Sequence, residues 1–306
     1  MATWVVGRRL QCPEICDDIN VAVFWTRKLE RISMLRAIVS VLRRSLRRGL
    51  RGAARLLGRP QPLSPRAAIL ATIPASAAVL EIGPFVRPTL RGPNIRYFDV
   101  LDKASMIELA SVYGDPVVEA VEIDFISPTG DLSVVTETFD VVFSSHCIEH
   151  QPDLVRHLQQ VEKLLKSDGR YVVIVPDKRY CFDHFIPVSG LDEVLEAWRE
   201  KRKVHTRKKV IEHRAYITHN DAVRHWAGDH GAPLYVRLPQ KLVEAASEFE
   251  SRQGNYIDVH GWQFSPKTFN DLIAGLVELN RSPLQVTETY QTWPDTLEFS
   301  AVLKRA

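Results

Sequence analysis

Phe139-Asp-Val-Val-Phe-Ser-Ser-His-Cys-Ile-Glu-His150 is the stretch whose reading decides the fold. Phe139 to Phe143 is a short apolar run, which suits a strand buried on both faces. Ser144, Ser145 and His146 follow at its end, and Glu149 and His150 fall at the start of the next turn. Upstream, Ala78-Val-Leu-Glu-Ile-Gly83-Pro84 is a second apolar strand, closed by an acid and a glycine. Two such strand ends facing one crevice are how a parallel α/β sheet holds a nucleotide-like ligand.

Further strands fit the same sheet. Ile95 to Asp99 ends in an acid placed to bond ribose hydroxyls, with Asp102 in reserve. The plain alternative is that Asp99 only caps a helix starting near Lys103. Pro116 to Phe125 reads as a third strand whose terminal Asp124 accepts from an adenine amino group, with Phe125 against the ring. Leu154 to Leu165 carries an apolar stripe at helical spacing, and Ser167-Asp-Gly169 stops it. Arg170 to Asp177 is almost wholly apolar, as a central parallel strand should be. Near the C-terminus, Ser265-Pro266 starts a helix, and Leu284–Thr292 and Leu297–Leu303 read as a final strand pair.

The order Val-Leu-Glu-Ile-Gly, Tyr-Phe-Asp, Ile-Asp-Phe, Phe-Asp-Val-Val-Phe-Ser-Ser-His-Cys-Ile-Glu-His and Leu-Leu-Lys-Ser-Asp-Gly-Arg-Tyr-Val-Val-Ile-Val-Pro-Asp resembles a class I S-adenosylmethionine (SAM)-dependent methyltransferase. Within that class it is most similar to the small-molecule branch often found beside glycosyltransferases. The resemblance spans roughly residues 77–185. It implies a Rossmann-like, doubly wound, mostly parallel seven-stranded sheet with an antiparallel last strand. It implies SAM as cofactor, with Glu81 and Gly83 at its methionine end, Asp99 on the ribose, and Asp124 and Phe125 at the adenine. Ser144, Ser145 and His146 would then floor the methyl site. One departure stands out: Phe85 and Arg87 occupy positions where the family's first loop usually has glycine. The same departure argues against a nicotinamide-type Rossmann oxidoreductase, which wants Gly-x-Gly-x-x-Gly around a pyrophosphate. A degenerate methyltransferase fold acting as a scaffold is the non-enzymatic alternative.

Acceptor chemistry is sought after Pro176, in loops at the strand ends. Tyr180 and Asp183 are the substrate-side candidates, with His260 in Asp258-Val-His-Gly-Trp-Gln-Phe264 either facing the cleft or serving as a core histidine. Methyl transfer from a sulfonium is an in-line displacement, so alignment supplies much of the rate. An oxygen acceptor must also lose a proton, and His146 and His184 are the candidate catalytic residues, with His150 read as structural. Trp226 and Tyr235 suit a pocket wall. The basic run Lys201 to Lys209 is either a receptor for an anionic acceptor or a solvated helix face. His213, His219, His225 and His230 crowd together with Asp221 and Asp229, but in no His-x-x-x-His or Glu-x-x-His register, so no metal is expected. The implied acceptor is a small molecule, of glycan or lipid-linked saccharide type.

Charge divides the chain. Residues 1–66 carry fourteen Lys/Arg against four Asp/Glu, and the remainder 26 against 33. This sets a basic extension, residues 1–66, apart from a methyltransferase domain, residues 67–306, with a substrate-side insertion at about 181–258. Within the extension, residues 34–58 form a basic amphipathic helix, read as a packed accessory helix or as a peripheral membrane contact. Nucleic acid is ranked below these, since strand four lacks an Asn/Asp-Pro-Pro-aromatic turn. Met34 is an alternative start. Cys12, Cys16, Cys147 and Cys181 make no disulfide framework and fit a reducing cytosol. No apolar run reaches membrane-spanning length.

Overall fold

The computed structural model describes residues 63–117, 119–232 and 237–306. The helix expected over 34–58, Cys12, Cys16 and Tyr235 lie outside the described residues. Strands β1 (Val79–Ile82), β2 (Ile95–Asp99), β3 (Phe125–Ile126), β4 (Phe139–Ser145), β5 (Leu165–Pro176), β6 (Leu284–Tyr290) and β7 (Glu298–Arg305) form one seven-stranded sheet in the order β3-β2-β1-β4-β5-β7-β6. β1 to β5 pair in parallel, and β7 runs antiparallel to both β5 and β6. The order reverses at β1, so the crevice lies outside the carboxyl ends of β1 and β4. This is the fold class expected from the sequence.

The apolar runs explain themselves in three dimensions. Successive side chains of a strand point to opposite faces. Val142, Tyr171, Val173 and Val175 join a core under one face, while Val141, Phe143, Val172 and Ile174 join a core under the other. Helix α3 (Leu154–Lys163) covers the first face with Leu154, Val155, Leu158 and Val161, beside α8 (Pro266–Glu278). Helix α1 (Pro65–Leu70) lies on the second through Ile69. Local chemistry fixes the starts: Ser64 with Pro65 opens α1, Asp153 caps α3, and Ser265 and Thr268 form a capping box on α8.

One alternative falls away, and one expectation needs correction. Asp102, not Asp99, caps helix α2 (Lys103–Tyr113), through a 2.8 Å bond from the Ser105 N–H. The third strand is far shorter than Pro116–Phe125. β3 pairs only Phe125 with Phe98 and Ile126 with Asp99. Glu119 and Glu122 are spent on surface ion pairs with Arg91 and Lys103. Asp124 therefore precedes the strand instead of ending it.

After β5 come α4 (Leu191–Glu200), α5 (Arg207–Tyr216), α6 (Ala222–Trp226) and α7 (Leu238–Ser251). The basic run is tied down here. Lys208 and Lys209 both reach Glu193, Arg202 reaches Glu196 and Glu200, and Arg207 reaches Glu250. These contacts favour the helix-face reading of residues 201–209.

Candidate active site

The crevice begins at the turn after β1. Gly83 sits at φ +69°, and a Cβ there would lie 3.3 Å from the Cys147 sulfur. The left-handed backbone favours glycine, and the tight approach to the sulfur adds to that preference. Phe85, standing where a second glycine was looked for, takes φ +46° itself and packs toward Val86 and Met106. The turn thus keeps left-handed geometry without the usual glycines, at the cost of local strain.

Glu81 is buried, and its two oxygens accept the Thr89 and Leu90 N–H groups at 2.7 and 2.9 Å. Burial raises its pKa against those bonds. Its carboxylate braces the loop that follows the turn. Asp99, at the end of β2, accepts from Val100 at 2.7 Å through one oxygen and from Phe85 at 3.3 Å through the other. Burial raises its pKa too. The oxygen facing Phe85 keeps acceptor capacity for a hydroxyl. Asp124 accepts from the Tyr97 N–H at 2.9 Å, two positions short of the strand end, and Phe125 packs into the core.

The turn after β4 splits three ways. Ser144 lies on the Val142 side of the pleat, fully buried, and bonds Tyr171 at 2.7 Å, which in turn bonds His157 at 3.0 Å. It belongs to the core under α3 and not to a site floor. Simple alternation along β4 carries that signal. Ser145 accepts from Arg66 at 3.2 Å. His146 is held at φ +52°, a conformation non-glycine residues rarely adopt. Its Nε2–H donates to Glu298 at 2.9 Å, and Arg66 donates to the same carboxylate oxygen at 3.0 Å. Burial opposes, but His146 and Arg66 overcome it and hold the Glu298 pKa down. In the neutral tautomer that the bond to Glu298 selects, the lone pair of His146 is on Nδ1, 3.8 Å from Glu149 Oε1.

Glu149 is the centre of the cluster. It is fully buried, and neither carboxylate oxygen has a hydrogen-bond partner. His150 Nε2 and His260 Nε2 each lie 3.9 Å from Oε1. His150 Nδ1 bonds Asp258 at 2.8 Å, and His260 Nδ1 bonds Asp183 at 2.6 Å. Burial would lower the His150 pKa, but Asp258, Glu149 and Asp183 carry it up to about 9. Burial, aided by charge on His150, pushes His260 down to about 3, and burial lifts Asp183 to about 7. Asp183 also lies 4.0 Å from His213.

The segment Asp258–Phe264 is what completes this cluster. The N–H groups of Gly261 and Trp262 donate to the Glu149 carbonyl at 2.8 and 3.2 Å, and the Trp262 indole donates to the Gln151 carbonyl at 2.6 Å. A side chain at Gly261 would meet the His205 ring at 2.7 Å. Phe264 bridges Asp177 at the end of β5. His260 is thus delivered to the strand-four turn by backbone contacts over more than a hundred residues of sequence.

His184 goes elsewhere. It stacks on His230 at 3.7 Å and lies 5.4 Å from His225, with Nδ1 donating to the Arg179 carbonyl at 2.9 Å. Among the described residues, none of its ring contacts or hydrogen bonds is with His146. Tyr180 stacks on Trp226 at 3.9 Å, and Trp226 is fixed by a 2.8 Å bond to the Thr296 carbonyl. Asp177, Asp258, Glu298 and Arg66 carried no sequence signal as site residues. Glu149 and His150, read as turn scaffolding, lie at the centre of this side-chain cluster.

A seven-stranded sheet of this order, with its crevice at the β1 and β4 ends, defines a class I SAM-dependent methyltransferase fold. The chain belongs to the family described as methyltransferase domain, whose model matches residues 58–232. Comparison with curated proteins returns no match. Among solved structures the chain is similar to the CcbJ methyltransferase from Streptomyces caelestis, at 13% identity over 81% of this chain and 92% of that one, with TM-score 0.38. It is also similar to an S-adenosylmethionine-dependent methyltransferase from Mesorhizobium loti, at 12% identity over 79% and 98%, with TM-score 0.40. The mitomycin 7-O-methyltransferase MmcR shares 15% identity over 78% of this chain, which spans about half of that protein, 52%, with TM-score 0.35.

The cofactor of the class is SAM, a cationic sulfonium, and the donor chemistry of the crevice suits it. Burial, and then the charges of Glu149, Asp99 and Asp258, push the Cys147 thiol pKa up. Those carboxylates converge on the residue that touches the Gly83 turn. Carboxylates on that side of the turn suit a cationic sulfonium.

Proposed function

We propose that the chain transfers a methyl group from SAM to a hydroxyl of a small acceptor of saccharide type. The observation that carries this reading is the His146–Glu298 pair beside the Gly83 turn. Glu298 fixes the imidazole tautomer, and the Nδ1 lone pair is left to take a proton from an acceptor hydroxyl. Gly83 and Asp99 would hold the cofactor, with Asp99 on the ribose. SAM supplies an activated methyl and a neutral leaving group. The protein's part is alignment, an anionic environment and proton acceptance. The stacked Tyr180–Trp226 pair supports a flat or ring-shaped acceptor. The domain performing this is residues 67–306, with the stretch at about 181–258 on the acceptor side. Among the described residues no helix is long and apolar enough to cross a membrane.

The test is calorimetric titration with SAM, followed by a SAM-consumption screen over sugar, nucleotide-sugar and small phenol acceptors. Wild type should bind SAM and turn over with at least one acceptor class. His146→Ala should bind SAM equally and lose turnover by about 100-fold, the ordinary contribution of a general base. Absence of binding at millimolar SAM would overturn the reading. SAM binding with no turnover on any acceptor would point instead to a scaffold.

A further inference from the structure

The geometry points to a divalent-cation site made by Glu149 Oε1, His150 Nε2 and His260 Nε2, suited to a first-row transition ion with open positions on the acceptor side. These three donor atoms all lie within 4.8 Å of one another. Two ligands on one tetrahedral ion at ordinary bond lengths sit about 3.4 Å apart. The 3.9 Å separations from Glu149 to each histidine are thus a few tenths of an ångström wide of a closed site. Small side-chain shifts would close it.

Two further observations argue for an ion here. The Glu149 carboxylate is fully buried with no hydrogen bond to either oxygen, and the imidazoles of His146, His150 and His260 stand off from it at 3.8, 3.9 and 3.9 Å, so its oxygens keep unused ligand capacity. Each histidine also has its far nitrogen bonded to a carboxylate, His150 to Asp258 at 2.8 Å and His260 to Asp183 at 2.6 Å. That is the outer shell a metal-ligating imidazole uses to fix its tautomer. Two imidazoles and one carboxylate favour Zn²⁺, Co²⁺ or a similar ion over Ca²⁺ or Mg²⁺, which prefer oxygen.

A second group, His184, His225 and His230, also meets the distance condition. It lacks a carboxylate ligand, and His225 Nδ1 already bonds His230 Nδ1 at 3.0 Å. The Glu149 cluster is therefore the stronger site. Its role rests on the methyltransferase reading: an acceptor hydroxyl on the ion would lose its proton more readily, beside the His146 Nδ1 that lies 3.8 Å from the same Glu149 oxygen. Binding of the ion does not rest on that reading.

Full-length protein, stripped with chelator, is titrated with Co²⁺ by visible absorption and with Zn²⁺ by calorimetry, and SAM is titrated in the same samples. One equivalent of Co²⁺ should bind with ligand-field absorption. Glu149→Gln and His260→Gln should weaken it at least 100-fold, while His230→Ala should leave it unchanged. Circular dichroism checks folding. If either site variant fails to fold, Asp183→Asn, which acts through His260, should still weaken Co²⁺ by about 10- to 100-fold. Folded wild type that binds no Co²⁺, or binding lost with His230→Ala and kept with His260→Gln, overturns the site. Co²⁺ binding without SAM binding would leave the ion site standing and sink the methyltransferase reading alone.

Discussion

His260 is gripped between two acids: Nδ1 lies 2.6 Å from Asp183 Oδ2, and Nε2 faces Glu149 at 3.9 Å. Asp183 thereby sets which nitrogen of His260 carries the proton and which presents a lone pair. Asp183→Asn keeps an acceptor oxygen in place but removes the charge. Co²⁺ affinity should fall by about 10- to 100-fold, with the melting temperature moved by only a few degrees. An unchanged affinity would show that Asp183 does not orient His260 for binding.

Gly83→Ala tests the cofactor turn. The new methyl must take φ +69° and approach the Cys147 sulfur at 3.3 Å. Left-handed backbone alone costs an alanine about 1–2 kcal/mol. SAM affinity should drop about tenfold or more in calorimetry. Cys147→Ala in the same chain should relieve the contact and recover only part of the loss, because the backbone strain remains. Full recovery would mean that the contact alone requires glycine.

The sheet was legible because β4 and the second half of β5, from Tyr171 on, are buried on both faces, so their residues read as apolar runs with polar ends. The helix start at Ser265 was legible through local capping chemistry, and the helix from Leu154 through its apolar stripe. β3 was not, because an edge strand two residues long leaves almost no pattern, and the Val-Val-Glu-Ala-Val stretch before it imitates one. The site was legible in part. His146, Asp99 and Gly83 stand at strand ends, where position alone names them. Glu149 does not, because its role depends on Gly261 and Trp262 folding back onto its carbonyl. Glu298 is recruited from the antiparallel β7, whose neighbour in the sheet is β5 and not β4. Neither contact has a periodicity to betray it.

Arg305→Ala tests the closure of the sheet. The Arg305 guanidinium donates to the carbonyls of Glu162, Leu165 and Lys166 at 3.0, 2.7 and 2.6 Å, and to the Glu162 carboxylate at 2.6 Å. One side chain thus satisfies the end of α3 and the start of β5. Its loss should cost about 1–3 kcal/mol, read as a lower midpoint in denaturant with unchanged slope. Arg305→Lys should recover less than half of it, since an ammonium cannot span those acceptors. A midpoint equal to wild type would show that solvent replaces these bonds freely.

Acid stability should report on His157, which lies on the buried face of α3 and bonds Tyr171 at 3.0 Å. Burial holds its pKa down to about 4. An unfolded chain restores about 6.5, so between those values the unfolded state binds more protons. The contribution of neutral His157 is complete above pH 6.5 and lost as pH falls toward 4. From pH 7.5 to 4.5 it amounts to about 2–3 kcal/mol. Other buried histidines add to the total slope, so the comparison must be with a variant. His157→Gln keeps a polar partner for Tyr171 and cannot titrate. Its denaturation free energy should fall by about 2–3 kcal/mol less than that of wild type over the same interval. Parallel pH profiles for the two proteins would mean that His157 gains its proton in the folded state as easily as in water.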